Sequence, residues 1–176
     1  VPALGMVGLQ PTAEADPAVR VILISGAGGN FTAGNDLADF LETPPMEQDA
    51  PVFRFLRGIA TFPKPLVAAV CGPAVGVGTT MLFHCDLVYA GDNAAFSMPF
   101  VNLGLCPEAA SSLLVPQMMG YHRAAEALLL GEPFMAEAAL EVAHVRDPAG
   151  RGRPDEGLVH LGRRRDLPRL DLVHEH

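Results

Sequence analysis

The stretch VRVILISGAGGNFTAGNDL, residues 19–37, decides the fold. Residues 19–25 form a mainly apolar, β-branched run, which predicts a short strand covered on both faces. The glycines that follow allow a tight turn, and a short helix comes next with Asn35 or Asp36 as its candidate cap. A strand that passes through a glycine turn into a helix is the repeating unit of α/β proteins.

The same order of elements returns along the chain. A helix over residues 47–61 precedes LVAAV, residues 66–70, which predicts a second buried strand. A glycine-proline turn over 71–78 then leads into a helix containing TTMLFHC, residues 79–85. Short strands at 86–90 and 95–97 follow, and further helices begin near Glu108, Tyr121 and Ala136. The sequence therefore predicts the α/β class.

Composition excludes several kinds of protein. Of the 176 residues, 49% are hydrophobic and 18% are charged, which is typical of one globular domain. No apolar run approaches the roughly 20 residues of a membrane-spanning helix, so we expect no membrane partner. The net charge of −8 disfavours nucleic acid as a partner, because that affinity depends on lysine and arginine.

The last 31 residues differ from the rest of the chain. They carry seven of the 12 lysines and arginines, whereas residues 1–145 carry five. We interpret residues 1–145 as the folded core, incomplete at its start, and residues 146–176 as an atypical Arg-rich tail. A frameshift in the gene is one hypothesis for this tail. The terminal HEH is not a Ser-Lys-Leu type signal and no signal peptide begins the chain, so the expected location is the cytoplasm.

Three common motifs are incomplete here. The third glycine of a dinucleotide fingerprint would fall at Phe31, and GPAVGVGTT, residues 72–80, lacks the lysine of a phosphate-binding P-loop. A triad of His84, Asp86 and Ser111 is not supported either, because a histidine inside an apolar helix is more often a structural residue. The spacing of cysteines and histidines in the sequence also matches no metal-binding pattern.

Two turns could act together as an oxyanion hole. Each of the two buried strands ends in a glycine-containing turn that enters a helix, at residues 33–36 and 75–78. Helix starts present free backbone N–H groups, and two such donors can stabilise an oxyanion. The alternative is that the glycines serve only the tight turns.

Glu108 is the candidate general base. Pro107 and Glu108 predict a helix start, where a proline and an acidic side chain are also ordinary. However, the preceding residues are largely apolar, and a carboxylate among them would have a raised pKa and could exchange protons near neutral pH.

Several separated segments resemble the crotonase, or enoyl-CoA hydratase/isomerase, superfamily. Residues 19–37 look like its first oxyanion segment, PKPLVAAVCGPAVGVG (63–78) like its second, and HCDLVYAGDNAAFSMPF (84–100) like the strand and loop that follow. The resemblance runs from about residue 17 to residue 145. It implies a ββα spiral core that lacks the family's first strands and its carboxy-terminal helices.

This resemblance also implies a binding site. The two N–H donors for a thioester oxygen fall on Asn35 and Val77, in turns that contain Ala33, Gly34, Asp36 and Gly76. The substrate is an acyl-CoA thioester, with coenzyme A as part of the substrate and with no metal or further cofactor. Plausible walls of the acyl pocket, which serve equally well as plain core, are Met81, Phe96, Phe100, Leu103 and Leu105. Relatives of this kind are typically homotrimers or hexamers.

The chain differs from the enoyl-CoA hydratases at two positions, and these differences bear on the reaction that the resemblance implies. The two glutamates of enoyl-CoA hydratases correspond to Thr80 and Phe100, neither of which exchanges a proton near neutral pH. The segment SMPFVNLGLCPEAASS (97–112) instead resembles the Δ3,Δ2-enoyl-CoA isomerase branch, in which the matching glutamate, here Glu108, carries the proton. An impaired or non-catalytic acyl-CoA-binding relative is one alternative. A hydratase or thioesterase that uses Asp92 or Glu126 as its base is another.

Overall fold

A computed structural model describes residues 13–42, 45, 47 and 49–142 of the chain. The predicted Arg-rich tail over 146–176 lies outside the described residues, and so do residues 1–12. The strands are β1 (Ile22–Ser25), β2 (Leu66–Val70), β3 (Pro73–Val75), β4 (Leu87–Ala90), β5 (Ala95–Ser97) and β6 (Phe134–Met135). The helices are α1 (Leu37–Glu42), α2 (Pro51–Ala60), α3 (Val77–Thr80), α4 (Ser111–Met119), α5 (Tyr121–Ala125) and α6 (Ala136–Val142).

The first sheet is parallel and has the strand order β1-β2-β4. Its register pairs Ile24 with Ala68 and Ala68 with Val88. Alternate residues of β2 are fully buried because β2 lies between two strands and packs one face on the core. Strands separated by helices and paired in parallel confirm the predicted α/β class.

Strand β1 is shorter and less covered than the sequence predicts. It begins at Ile22, and its side chains are half-buried up to Ser25, which is exposed. The expectation that it is fully covered on both faces is wrong, because none of its four side chains is fully buried. In the described part of the chain β1 also lies at the edge of its sheet.

The second sheet contains two strands that the sequence analysis misses. Its order is β3-β5-β6, with β3 parallel and β6 antiparallel to β5. Strand β3 lies inside the predicted turn over residues 71–78. The ring of Phe96 on β5 stacks on that of Phe134 on β6, with the ring centroids 5.5 Å apart. These rings join the main core, in which Phe55 and Ile59 of α2 are also buried.

Two predicted helix starts have different outcomes. Asp36 caps α1, since its Oδ1 accepts a hydrogen bond of 2.9 Å from the N–H of Ala38. A helix start at Glu108 is wrong, because α4 begins at Ser111. Ala109 and Ala110 have φ angles of 52° and 53°, a left-handed conformation that cannot be part of an α-helix.

The predicted helix after the second turn has two parts. Helix α3 covers Val77–Thr80, and a 3-10 helix continues it over Met81–His84. Further along, α5 passes into a π-helical turn over Glu126–Leu130. None of the described helices combines the length and apolar character needed to cross a membrane.

Candidate active site

Backbone hydrogen bonds hold the two glycine turns against each other. Thr32 forms an isolated parallel bridge with Ala74, its N–H donates to the carbonyl of Pro73, and its own carbonyl accepts from the N–H of Val75 at 3.0 Å. A Cβ at position 78 would lie 2.4 Å from Cγ2 of Thr32, so a larger residue there would force the Thr32 side chain to move. The segment after β1 therefore runs directly beside the segment after β2.

Glycine is required where these turns come closest. Gly34 has a φ of +90°, and a Cβ on it would lie 2.7 Å from the carbonyl oxygen of Val75 and 3.9 Å from the Cα of Gly76. Gly76 itself has a φ of 57°. Asn35 and Val77 immediately follow these two glycines, so the turns bring the two predicted N–H donors to one region.

Both donor groups are open in the part of the chain that the structure describes. Among the described residues, neither the N–H of Asn35 nor the N–H of Val77 donates a hydrogen bond. Val77 is the first residue of α3, so its N–H has no acceptor within the helix. Asn35 is half-buried and Val77 is buried, whereas Ala33 and Asp36 are exposed on the first turn.

Two neighbouring threonines on α3 have different surroundings. The hydroxyl of Thr79 donates to the carbonyl of Ala74 and accepts from the N–H of Ser97 at 3.2 Å, which ties β3, α3 and β5 together. The N–H of Gly76 also donates to the carbonyl of Ser97. In contrast, Oγ1 of Thr80 is buried and has no hydrogen-bond partner among the described residues.

Glu108 lies on the loop before α4. Burial raises the pKa of its carboxyl group from 4.5 to about 7, because desolvation disfavours the charged form. Its Oε1 is buried with no hydrogen-bond partner within the described part of the molecule. The carboxyl group can therefore exist in both protonation states near neutral pH, as a general base requires.

The backbone next to Glu108 is strained. Left-handed φ angles at Ala109 and Ala110 each cost about 1–2 kcal/mol in a residue with a Cβ. Ser111 closes this turn, since its hydroxyl and its N–H both donate to the carbonyl of Glu108, at 2.6 and 2.9 Å. From the 3-10 helix, Nε2 of His84 donates to the carbonyl of Ala109 at 2.8 Å.

The rejected triad residues each bind backbone rather than one another. His84 contacts Ala109, Ser111 contacts Glu108, and Oδ2 of Asp86 accepts from the N–H of Leu66 at 2.8 Å. The sequence carries no evident signal for the contact between His84 and Ala109, because that contact depends on the left-handed turn.

The five predicted acyl-wall residues differ in their surroundings. Met81 and Phe96 belong to the main core, and Phe100 belongs to a second cluster. Leu103 and Leu105 are each 49% exposed. A mainly apolar cavity of about 170 Å³ includes Phe96 in its lining but none of the other four, and it does not include Asn35, Val77 or Glu108.

Other candidate groups are less suited to proton transfer or to metal binding. Asp92 and Glu126 are exposed, unlike Glu108. Burial, with a smaller effect from the charge of Asp86, raises the pKa of the Cys85 thiol to about 12, so this thiol stays protonated at neutral pH. Over the described residues, no three His, Cys, Asp or Glu side chains cluster to hold a metal ion.

Comparison with known proteins identifies the family. The family model for enoyl-CoA hydratase/isomerase matches residues 9–147. Over 125 residues the chain is 44% identical to enoyl-CoA delta isomerase 2 of Rattus norvegicus, a match that covers 68% of this chain and 32% of the rat protein.

Solved structures agree with this result. Pseudomonas aeruginosa OdaA is 55% identical with a TM-score of 0.75, over 79% of this chain and 56% of that one. An enoyl-CoA hydratase from Mycobacterium marinum is 38% identical with a TM-score of 0.72, over 81% of this chain and 68% of that one. The chain thus spans about a third of the rat isomerase and little more than half of OdaA. These matches confirm the crotonase fold and the similarity to the isomerase branch, and the chain belongs to the enoyl-CoA hydratase/isomerase family.

Proposed function

We propose that this chain moves the double bond of a 3-enoyl-CoA thioester to the 2-position. The observation that carries the proposal is Glu108, a largely buried carboxyl group with a pKa of about 7 and an unpartnered Oε1. Similarity to a protein named enoyl-CoA delta isomerase supports the same reaction. The substrate in this proposal is an acyl-CoA thioester, with coenzyme A as part of it.

In the proposed mechanism one carboxylate does the proton transfer. Ionised Glu108 takes a proton from C2, and the electron pair of the C–H bond spreads over the conjugated system to the thioester oxygen. The N–H groups of Asn35 and Val77 donate to this oxygen and stabilise the dienolate. Glu108 then returns the proton to C4, which leaves the double bond between C2 and C3. Protons and electrons balance without a redox partner.

Isomerisation fits these residues better than hydration does. A hydratase must position a water molecule and transfer its protons, for which carboxylates are suited. The two positions that resemble the hydratase glutamates hold Thr80 and Phe100, both buried. In isomerisation one positioned base raises the rate by about 10²- to 10⁴-fold. Each oxyanion donor lowers the activation free energy by about 3 kcal/mol.

The test is to follow formation of the conjugated 2-enoyl thioester from 3-enoyl-CoA by ultraviolet absorbance. Glu108→Gln is expected to lower kcat by about 10²- to 10⁴-fold. The matched control is Glu126→Gln, which neutralises an exposed carboxylate and should leave kcat unchanged. Because the base must be ionised, kcat/KM should rise with pH through about 7 and then level off. Equal activity of Glu108→Gln and wild type would contradict the proposal.

Two alternatives have their own readouts in the same experiment. Loss of absorbance from 2-enoyl-CoA would indicate hydration instead, with Asp92 and Glu126 as the next carboxylates to replace. Calorimetric binding of an acyl-CoA by a folded chain that turns over neither substrate would indicate the non-catalytic relative.

We further propose a homotrimer or hexamer as the working assembly. Cytoplasmic location stays a prediction.

A further inference from the structure

The side chain of His84 contacts the loop that carries Glu108. Its Nε2 lies 2.8 Å from the carbonyl oxygen of Ala109, the residue directly after Glu108. A carbonyl oxygen only accepts hydrogen bonds, so Nε2 must carry a hydrogen. The imidazolium ion and the neutral Nε2–H tautomer both meet this requirement, so the contact does not depend on the charge of His84.

The turn that receives this hydrogen bond depends on outside support. Ala109 and Ala110 both have positive φ angles, which side chains with a Cβ rarely adopt and which persist only when the surroundings hold them. Ser111 binds the carbonyl of Glu108 from within the same turn. Leu113 and Leu114 of α4 donate to the carbonyl of Ala110, but α4 directly follows the turn. His84 reaches the turn from the 3-10 helix, an element that does not adjoin it in sequence.

His84 also belongs to the segment that begins at the second oxyanion turn. Helix α3 starts at Val77, and the 3-10 helix that continues it ends at His84. Ala109 packs against the core cluster that contains Val77 and Met81. The contact between His84 and Ala109 therefore links the base loop to the segment that presents one of the two N–H donors.

We propose that His84 is a positioning residue: its Nε2–H group holds the left-handed turn at Ala109 and so fixes the carboxylate of Glu108 relative to the Val77 N–H group. His84 itself does not transfer a proton in this proposal. The inference rests on the proposed function, in which Glu108 is the base.

The test compares two substitutions at one position. In His84→Gln the side-chain amide nitrogen can take the place of Nε2 and donate to the same carbonyl, whereas His84→Leu removes the donor. We expect His84→Leu to lower kcat by about 10- to 100-fold, as a misplaced catalytic group does, with KM changed less than about threefold. His84→Gln should recover most of this loss. If His84→Leu does not fold, His84→Asn, whose amide is too short to reach, replaces it.

A second readout does not need activity. The ionisation of Glu108 can be followed in the carboxyl infrared band, assigned by its absence in Glu108→Gln. Release of the turn should expose the carboxyl group to water and lower its pKa from about 7 toward 4.5 in His84→Leu but not in His84→Gln. A merely structural role for His84 would change the melting temperature without moving this pKa.

The outcomes separate this inference from the proposed function. An inactive wild-type chain would reject the function, yet the infrared titration would still test His84. A kcat and a Glu108 pKa that are unchanged in His84→Leu would overturn the positioning role, and so would a folded His84→Gln that behaves like His84→Leu. In the Glu108→Gln background, replacing His84 should lower kcat no further, because the group that it positions is already absent.

Discussion

The raised pKa of the Glu108 carboxyl group makes folding depend on pH. A carboxyl group whose pKa is raised from 4.5 in the unfolded chain to about 7 in the folded chain binds its proton more tightly when folded. Below pH 4.5 the group is protonated in both states and has no effect on stability. As pH rises from 4.5 to 7 the unfolded chain releases its proton first, so folding becomes less favourable, and above pH 7 the full cost remains.

Replacing Glu108 with the neutral, isosteric Gln should therefore stabilise the protein in a pH-dependent way. The shift from 4.5 to about 7 corresponds to about 3 kcal/mol in the free energy of unfolding, gained at pH 8 and absent near pH 4. Urea unfolding of wild type and Glu108→Gln at both pH values checks this, with the exposed Glu126→Gln as the control that gains nothing. A difference that does not change with pH would show that Glu108 has an ordinary pKa.

The two threonines of α3 should respond differently to the same substitution. Thr79→Val removes a hydroxyl that binds both the Ala74 carbonyl and the Ser97 N–H, so it should lower the free energy of unfolding by about 1–3 kcal/mol. Thr80→Val removes a buried hydroxyl that has no partner among the described residues, and it should be neutral or stabilising. Chemical denaturation of both variants makes the comparison. A strongly destabilised Thr80→Val would reveal that its hydroxyl has a partner after all.

At the level of elements, the turn after β1 depends on a single glycine at its closest approach. In Gly34→Ala the new Cβ would meet the Val75 carbonyl at 2.7 Å, and its φ of +90° is itself unfavourable for alanine. Gly28 also has a positive φ, of +65°, but nothing lies within 4 Å of a Cβ there. Gly28→Ala thus tests the backbone cost alone.

We expect Gly28→Ala to lower the free energy of unfolding by about 1 kcal/mol and Gly34→Ala by about 3 kcal/mol or more. Because the clash would push the first turn away from the second, Gly34→Ala should also lower kcat. Thermal unfolding together with the isomerase assay checks both effects. Equal losses in the two variants would show that the turns can separate at little cost.

Local signals explain which elements the sequence predicts. Strand β2 is marked by its β-branched, apolar run and β5 by its short apolar pattern, and both appear at the predicted residues. Strands β3 and β6 have three and two residues, too short for any periodicity, and they exist because β5 pairs with each of them. Pro107 and Glu108 predict a helix start, but the next two alanines are left-handed, so α4 begins only at Ser111.

At the level of the whole molecule, the candidate site is predictable to the extent that its residues lie in local motifs. The glycine turns in the sequence predict that Asn35 and Val77 follow tight turns. The apolar residues before Glu108 predict the raised pKa that burial produces in the structure. Long-range packing decides the rest. The sequence does not show that Leu103 and Leu105 are exposed, nor that His84 reaches across to Ala109.

The carboxy-terminal part of the described chain presents large apolar side chains to its surroundings. Tyr121 on α5 is 74% exposed, and Leu129 and Leu130 on the following π-helical turn are 66% and 56% exposed. Exposed apolar side chains that neighbour one another are typical of contact surfaces, and closed symmetric association is the common way to cover them. This supports self-association of the chain, of which the proposed homotrimer or hexamer is one form.

Light scattering should therefore give three or six times the chain mass of 18.6 kDa. Replacing Leu129 and Leu130 together by lysine should shift the mass toward that of the single chain, because charge on the contact surface must be desolvated to associate. Asp92→Lys, which changes the charge of a side chain that is already polar and exposed, is the control and should keep the assembly intact. A wild-type chain that is monomeric at every concentration would contradict the proposed assembly. A double variant that still assembles would show that the contact surface lies elsewhere. The double substitution leaves Glu108 and the glycine turns unchanged. A variant that is folded but monomeric would therefore also show whether a single chain can catalyse the proposed isomerisation.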